Sequence, residues 1–259
     1  MTLPILEARH LGFAYAPRPP ILTDLSLSLD PGALCALIGS NGSGKSTLIR
    51  LLAGVSKPVS GEVLLHGHSL AKTPRQKAAR SLAYVPQSWT IAFPFTALEV
   101  VLTGRSPHRS PFRLENENDR AVAIEALSLV DASHLAERPV TALSTGEQQL
   151  VSVARALAQQ PECLLLDEPS ASLDLRHRIA LMRTLVRLRD TLGLAICVVT
   201  HDLHLIDSAF DRVLALRGGQ LIVDDRPEKV LNNSTLAEVY GDESIRTRSF
   251  EGRTLVWCD

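Results

Sequence analysis

The chain has 259 residues, 45% of them apolar, with 27 Lys and Arg against 28 Asp and Glu and a formal net charge of −1. That length suits one domain with subdivisions, and the apolar share is enough for a buried core. The near-neutral charge argues against a general nucleic-acid binder, and no repeat period or low-complexity tract points to a solenoid or a linker.

The longest apolar stretches, at residues 34–38 and 194–199, fall far short of the roughly 18–20 residues needed to cross a bilayer. Glu7 and Arg9 interrupt the place where a signal peptide needs an unbroken apolar run. Cys35, Cys163, Cys197 and Cys258 have no metal-type pairing and read as reduced core residues of a cytosolic protein.

In chain order, residues 3–15, 21–29 and 61–66 read as short strands separated by turns, an antiparallel sheet on the N-terminal side. Between them lies the continuous apolar run of residues 34–38, which leads into Gly39-Ser40-Asn41-Gly42-Ser43-Gly44-Lys45-Ser46. This is the G-x-x-x-x-G-K-S spacing of a phosphate-binding loop. Its glycines let successive N–H groups curl around phosphate oxygens, and the helix that follows (Leu48, Ile49, Leu51, Leu52) offers its positive end. Lys45 is expected to reach the β- and γ-phosphates, the Ser46 hydroxyl to hold Mg²⁺, and Thr47 to line the same site.

Residues 88–95, Ser-Trp-Thr-Ile-Ala-Phe-Pro-Phe, gather three aromatics in a chain with only 4% aromatic residues. They either line a groove for a partner or pack the neighbouring helices. From about Thr96 to Gln160 the pattern is mostly helical. Ala121, Ile124, Leu127 and Val130 recur behind an acid-rich start and suggest the buried face of one helix. Pro139 ends that stretch. Ser144-Thr145-Gly146-Glu147 is then a capping box that opens a helix through Val151, Ala154 and Leu157, and its N-terminus can also grip an anion.

Two further apolar runs end in chemistry. Residues 163–166 lead into Asp167-Glu168, and residues 195–199 lead into Thr200-His201. Continuous apolar runs suggest strands buried on both faces of a parallel sheet, whose ligands bind beyond the carboxyl ends of the strands. Asp167 fits a Mg²⁺ partner, Glu168 the group that polarises an attacking water, and His201 a donor to the γ-phosphate. After about Pro227 the tail mixes helix-like and strand-like pieces.

The phosphate loop, residues 143–148, and Asp167-Glu168-Pro169 followed by Ser172-Leu173-Asp174 and by His201 together resemble the ATPase subunits of ATP-binding-cassette (ABC) transporters. The resemblance covers nearly the whole chain, and these motifs in this order are highly specific. It implies an α/β P-loop NTPase fold. A RecA-like parallel core with the β-subdomain would occupy about 1–90 and 160–226, an inserted helical subdomain 91–159, and a C-terminal extension 227–259. It also implies that ATP with Mg²⁺ is sandwiched in a homodimer between the phosphate loop of one copy and Ser144, Thr145, Gly146 and Glu147 of the other. Asp174 would reach across that dimer, Tyr15 would stack on adenine, and Gln87 would join Ser46 and Asp167 at the Mg²⁺ and water site. The family segment usually reads Leu-Ser-Gly-Gly, and here Thr145 replaces its first Gly.

The resemblance further implies two transmembrane permease subunits, indirectly a solute-binding protein, and a peripheral place on the cytoplasmic face of a bacterial inner membrane. Residues 100–108, Asp119-Arg120-Ala121 and residues 236–241 resemble a narrower branch, the importers of iron–siderophore complexes, haem, cobalamin and related metal or oxyanion cargo. An exporter subunit would carry the same nucleotide site, whereas a soluble cassette ATPase usually has two cassettes or a coiled-coil insert.

Overall fold

A computed structural model describes residues 3–89, 93–110, 115–171, 173–250 and 253–259. Its first half contains β1 (Leu6–Phe13), β2 (Leu22–Leu29), β3 (Leu34–Gly39), α1 (Lys45–Leu52), β4 (Ser60–Leu65), β5 (His68–Ser69), α2 (Arg75–Ser81), β6 (Leu82–Val85), α3 (Ala97–Leu102) and α4 (Glu117–Leu129). The second half adds α5 (Thr145–Leu157), β7 (Cys163–Asp167), α6 (Leu175–Leu192), β8 (Ala195–Val199), β9 (Arg212–Arg217) and β10 (Gln220–Asp225), then α7 (Pro227–Val230), α8 (Asn233–Tyr240), β11 (Ile245–Phe250) and β12 (Arg253–Cys258).

The central sheet has the order β10-β9-β3-β8-β7-β6, with β6, β7, β8, β3 and β9 parallel and β10 antiparallel at one edge. The three apolar runs are its inner strands, and every residue of β3, β7 and β8 is buried. Because strand side chains alternate, each run feeds two cores. Cys35, Leu37, Leu165, Cys197 and Val199 face α1 and the four-stranded sheet β2-β1-β4-β5. Leu34, Ala36, Ile38, Leu164, Leu166, Ile196 and Val198 face the helices and the C-terminal segment. β6 at one edge, and β9 with β10 at the other side, lie outside the strands expected from sequence.

Helices α3, α4 and α5 each open on a reciprocal capping box, formed by Thr96 with Glu99, Asn116 with Asp119, and Ser144 with Glu147. The expected face of α4 is corrected. Ala121 is exposed and Ile124 is 46% exposed, while Asp119, Ala123, Ala126, Leu127 and Val130 turn inward. A strict spacing of three falls back about 60° per step on a helix of 3.6 residues per turn, so those four residues sweep around half the cylinder.

The segment after α3 supplies a buried anchor. Arg105 donates from Nε to Asp119 Oδ1 (3.1 Å) and from Nη1 to the Ala158 carbonyl (2.7 Å) and Gln160 Oε1 (2.9 Å). Beside it, a Cβ on Gly104 would stand 2.2 Å from the Arg155 carbonyl oxygen, so only glycine permits this approach to α5. The Gly-Arg pair thus locks α4 against the end of α5.

Cys35, Cys163 and Cys197 are buried, and burial pushes the Cys35 thiol up to about 12. Cys258 corrects the expectation of a fourth core thiol, because it is exposed on the terminal β11–β12 hairpin. Among the described residues no helix is long and apolar enough to cross a membrane.

Candidate active site

The phosphate loop is shaped by what surrounds β3. Gly39 has φ 148°, and a Cβ there would lie 2.3 Å from the Leu216 carbonyl oxygen of β9. Gly44, the N-cap of α1, has φ 104°, and a Cβ on it would meet the Leu22 side chain at 2.6 Å. At Gly39 any other residue would displace a strand, and at Gly44 it would be held in a left-handed conformation and push the Leu22 side chain aside. The first turn of α1 carries no acidic residue, so its amides and dipole are free to meet an anion.

Lys45 is 5% exposed and donates to the Gly39 and Ser40 carbonyls at 2.8 and 3.0 Å. Burial lowers its pKa, against the opposing pull of the Glu168 and Asp167 charges. The Ser43 hydroxyl is buried with no protein partner among the described residues. A cleft of about 300 Å³ opens here, lined by Asn41, Gly42, Gly44, Lys45, Ser46, Thr47 and Glu168, with Ile21 from the β-subdomain.

At the end of β7, Asp167 is fully buried and accepts from the Ser46 hydroxyl at 2.9 Å. The Tyr84 hydroxyl on β6 lies 3.4 Å from its other oxygen. Burial raises the Asp167 pKa, and the Ser46 hydrogen bond and the Arg50 charge only partly offset this. A buried carboxylate beside a hydroxyl, next to the phosphate loop, is the hard oxygen pair that Mg²⁺ takes. The residues present therefore fit the ion.

Glu168 has φ 47°, a left-handed conformation that costs a non-glycine residue on the order of 1 kcal/mol. In that turn its two oxygens meet different partners. Gln87 Nε2 donates to Oε2 at 2.8 Å, and His201 Nε2 lies 2.8 Å from Oε1. Gln87, Glu168 and His201 follow β6, β7 and β8, three neighbours in the sheet, so the topology brings these distant residues together. The arrangement can hold a carboxylate acceptor against the rim of the phosphate loop.

The other expected residues lie apart from the cleft lining. Tyr15 is 41% exposed and meets Phe13 edge-on, with centroids 4.8 Å apart at 88°. Ser144 accepts from the Glu147 amide at the start of α5, and Glu147 sits below its usual pKa because it accepts from the Ser144 amide and hydroxyl. Thr145 is the first residue of that helix and is absent from the positive-φ residues. Asp174 caps α6 by accepting from the His177 amide at 2.9 Å. A Cβ on Gly146 would lie 3.4 Å from the His177 ring, so the starts of α5 and α6 form one surface. Ser172 and residues 90–92 lie outside the described residues. Two contributors escaped the sequence reading. Ile21 was counted only as a strand residue, and Tyr84 stands in a short run with no polar terminus to mark it.

An ABC transporter family model matches residues 22–171. The hemin import ATP-binding protein HmuV of Gloeobacter violaceus is 40% identical over 254 residues, covering 94% of this chain and 90% of that protein. The chain belongs to the ABC transporter ATP-binding family. Among solved structures, this ABC ATPase is similar to one described as a metal-chelate type ABC transporter in an inward-facing conformation. The TM-score is 0.82 at 27% identity, over 98% of this chain and 96% of the other. A second similar structure is a dimeric ABC cassette in a post-hydrolysis state bound to ADP and Pi, with a TM-score of 0.74 at 26% identity, over 86% of this chain and 98% of that one.

Proposed function

We propose that this ABC ATPase drives a bacterial importer of haem or a related iron chelate, working as a homodimer beneath two permease subunits on the cytoplasmic face of the inner membrane. A solute-binding protein delivers the cargo. The cargo follows the hemin-import relatives, and pairing through bound ATP follows the dimeric cassette.

The observation that carries the catalytic reading is the Glu168 carboxylate, held at 2.8 Å by both Gln87 and His201 at the rim of the phosphate loop. Glu168 polarises water, His201 meets the γ-phosphate, and Gln87 links the site to the helical segment of residues 91–159. Lys45 and the loop from Gly39 to Thr47 hold the triphosphate, with Tyr15 at the adenine. Ser46, Asp167 and Gln87 would hold Mg²⁺, which supplies positive charge against the phosphates. Ser144, Thr145, Gly146, Glu147 and Asp174 lie apart from the cleft of their own chain and serve the partner's nucleotide. Loss of the γ-phosphate removes the group that both copies grip, so ATP favours the closed dimer over the open one.

The test is Glu168→Gln. It should keep ATP affinity, lose hydrolysis by about 100-fold or more, and accumulate an ATP-bound dimer in size-exclusion chromatography. Normal turnover would remove the catalytic assignment. Stimulation of ATPase in lipid with the permeases by haem, against a ferric siderophore and cobalamin, tests the cargo.

A further inference from the structure

The loop that leaves Glu168 and ends at Asp174 is tied to the His201 turn through one carboxylate. The Ser170 hydroxyl donates to Asp202 Oδ2 at 2.9 Å, and Arg178 Nη1 on α6 donates to Asp202 Oδ1 at 2.7 Å. The same guanidinium donates from Nε to the Leu173 carbonyl at 2.7 Å. Within the loop, the Ala171 amide donates to the Glu168 carbonyl and the Leu173 amide to that of Ser170. The Asp202 amide in turn donates to the Thr200 hydroxyl oxygen at 3.0 Å. Ser170 and Thr200 are buried, and the Asp202 and Arg178 side chains are 23% and 32% exposed.

We propose that Asp202 is a positioning residue, fixing the His201 turn to the loop that carries Glu168 at one end and Asp174 at the other. An isolated surface ion pair has little effect on anything. This carboxylate instead follows His201 directly and spends one oxygen on Ser170, two residues beyond Glu168, and the other on Arg178 of α6. Asp174, on the surface shared by α5 and α6, is joined to the His201 turn because the Arg178 amide donates to the Asp174 carbonyl and its guanidinium donates to Asp202. The inference rests on the reading of Glu168 and His201 given above.

The experiment uses the full chain with its permeases in lipid. Asp202→Ala should lower kcat by on the order of 10- to 100-fold, the range of a misplaced catalytic group, with the ATP KM changed by less than about twofold. Asp202→Asn and Ser170→Ala each keep part of the network and should fall between that variant and the parent. In a double-mutant cycle, Asp174→Ala with Asp202→Ala should be no worse than the worse single variant, because both break one path. In the Glu168→Gln background, Asp202→Ala should shorten the lifetime of the ATP-bound dimer, a readout independent of hydrolysis. Parental kcat in Asp202→Ala, strict additivity with Asp174→Ala, or an unchanged dimer lifetime would each overturn the proposal. If Asp202→Ala does not fold, parental rates in both milder variants would do the same. Glu168→Gln separates the two levels. If it is inactive while the Asp202 variants are normal, only this inference falls. If it hydrolyses normally, the underlying reading falls.

Discussion

Ser46 and Asp167, 121 residues apart in the chain, meet through a 2.9 Å hydroxyl-to-carboxylate hydrogen bond beneath the phosphate loop. That one bond does not compensate for burial, which holds the Asp167 pKa above the ordinary value. A raised carboxylate pKa means that the ionised form is disfavoured in the folded state. The penalty is absent below the ordinary aspartate value of about 3.9, grows as pH rises toward the folded pKa and is fully present above it. Asp167→Asn should therefore raise the Tm of the nucleotide-free protein at pH 7, while losing Mg²⁺-dependent ATP binding. The gap between the two melting curves should shrink as pH falls toward 4. A lower Tm for the variant at pH 7 would show that the carboxylate is compensated in some other way.

The aromatic run at 88–95 had two readings in the sequence, and its described members divide between them. Trp89 packs against the helical core, with the Arg155 guanidinium carbon 5.7 Å from its ring centroid. Phe93 and Phe95 are 68% and 49% exposed, with centroids 6.1 Å apart. Trp89→Ala should cost about 2 kcal/mol of stability, less than a fully buried Trp, with ATPase per folded molecule nearly unchanged. Phe93→Ala should leave Tm alone and reduce coupling of hydrolysis to transport in the assembled importer. The reverse pattern, with Trp89→Ala stable but uncoupled, would assign the groove to Trp89 instead.

Legibility followed the physics of each signal. The runs at 34–38, 163–166 and 195–199 were readable because strands buried on both faces have no polar alternation to blur them, and their polar ends marked the rim. β9 was harder to see, since Arg212 and Arg217 bracket its apolar centre. The face of α4 was misread because every third residue looks periodic without matching the helix. The buried-strand pattern placed Glu168 and His201 on one rim, but their meeting with Gln87 depends on strand order, which no local pattern encodes, so Gln87 was brought there only by the family resemblance. Asp202 stayed hidden for a related reason. An Asp after a His in a polar turn carries no mark until Ser170 and Arg178 are seen to share it.

Residues 100–108 suggested a branch of importers by resemblance alone, and within that segment Arg105 has a structural part. Its side chain and that of Asp119 are each 4% exposed. Arg105→Ala would leave that carboxylate buried without its cation and should cost about 3–5 kcal/mol. Chemical denaturation measures this directly. A loss below about 1 kcal/mol would mean that the pair relaxes into water and that the segment has another use.

Thr145 is where the chain departs from the family segment, and the local backbone says how much that matters. A glycine is demanded only where φ is positive or where another atom occupies the space of a Cβ. Ser144 takes φ −63° and ψ 160° as N-cap, and α5 begins at Thr145 itself, so its Cβ sits on an ordinary helical residue. Its neighbour Gly146 is under no such demand either, since a Cβ there would stand at an ordinary contact distance of 3.4 Å from the His177 ring. Thr145→Gly should accordingly change stability by less than about 1 kcal/mol, in the direction set by the poorer helix propensity of glycine. ATP hydrolysis by the assembled protein should stay within about twofold of the parent, since neither the capping box nor the Gly146 amide is disturbed. Steady-state ATPase and a melting curve on the same preparation read both quantities. A tenfold gain in rate would show that the threonine side chain obstructs the partner's nucleotide, and with that the helical start of α5 would cease to explain why the substitution is tolerated.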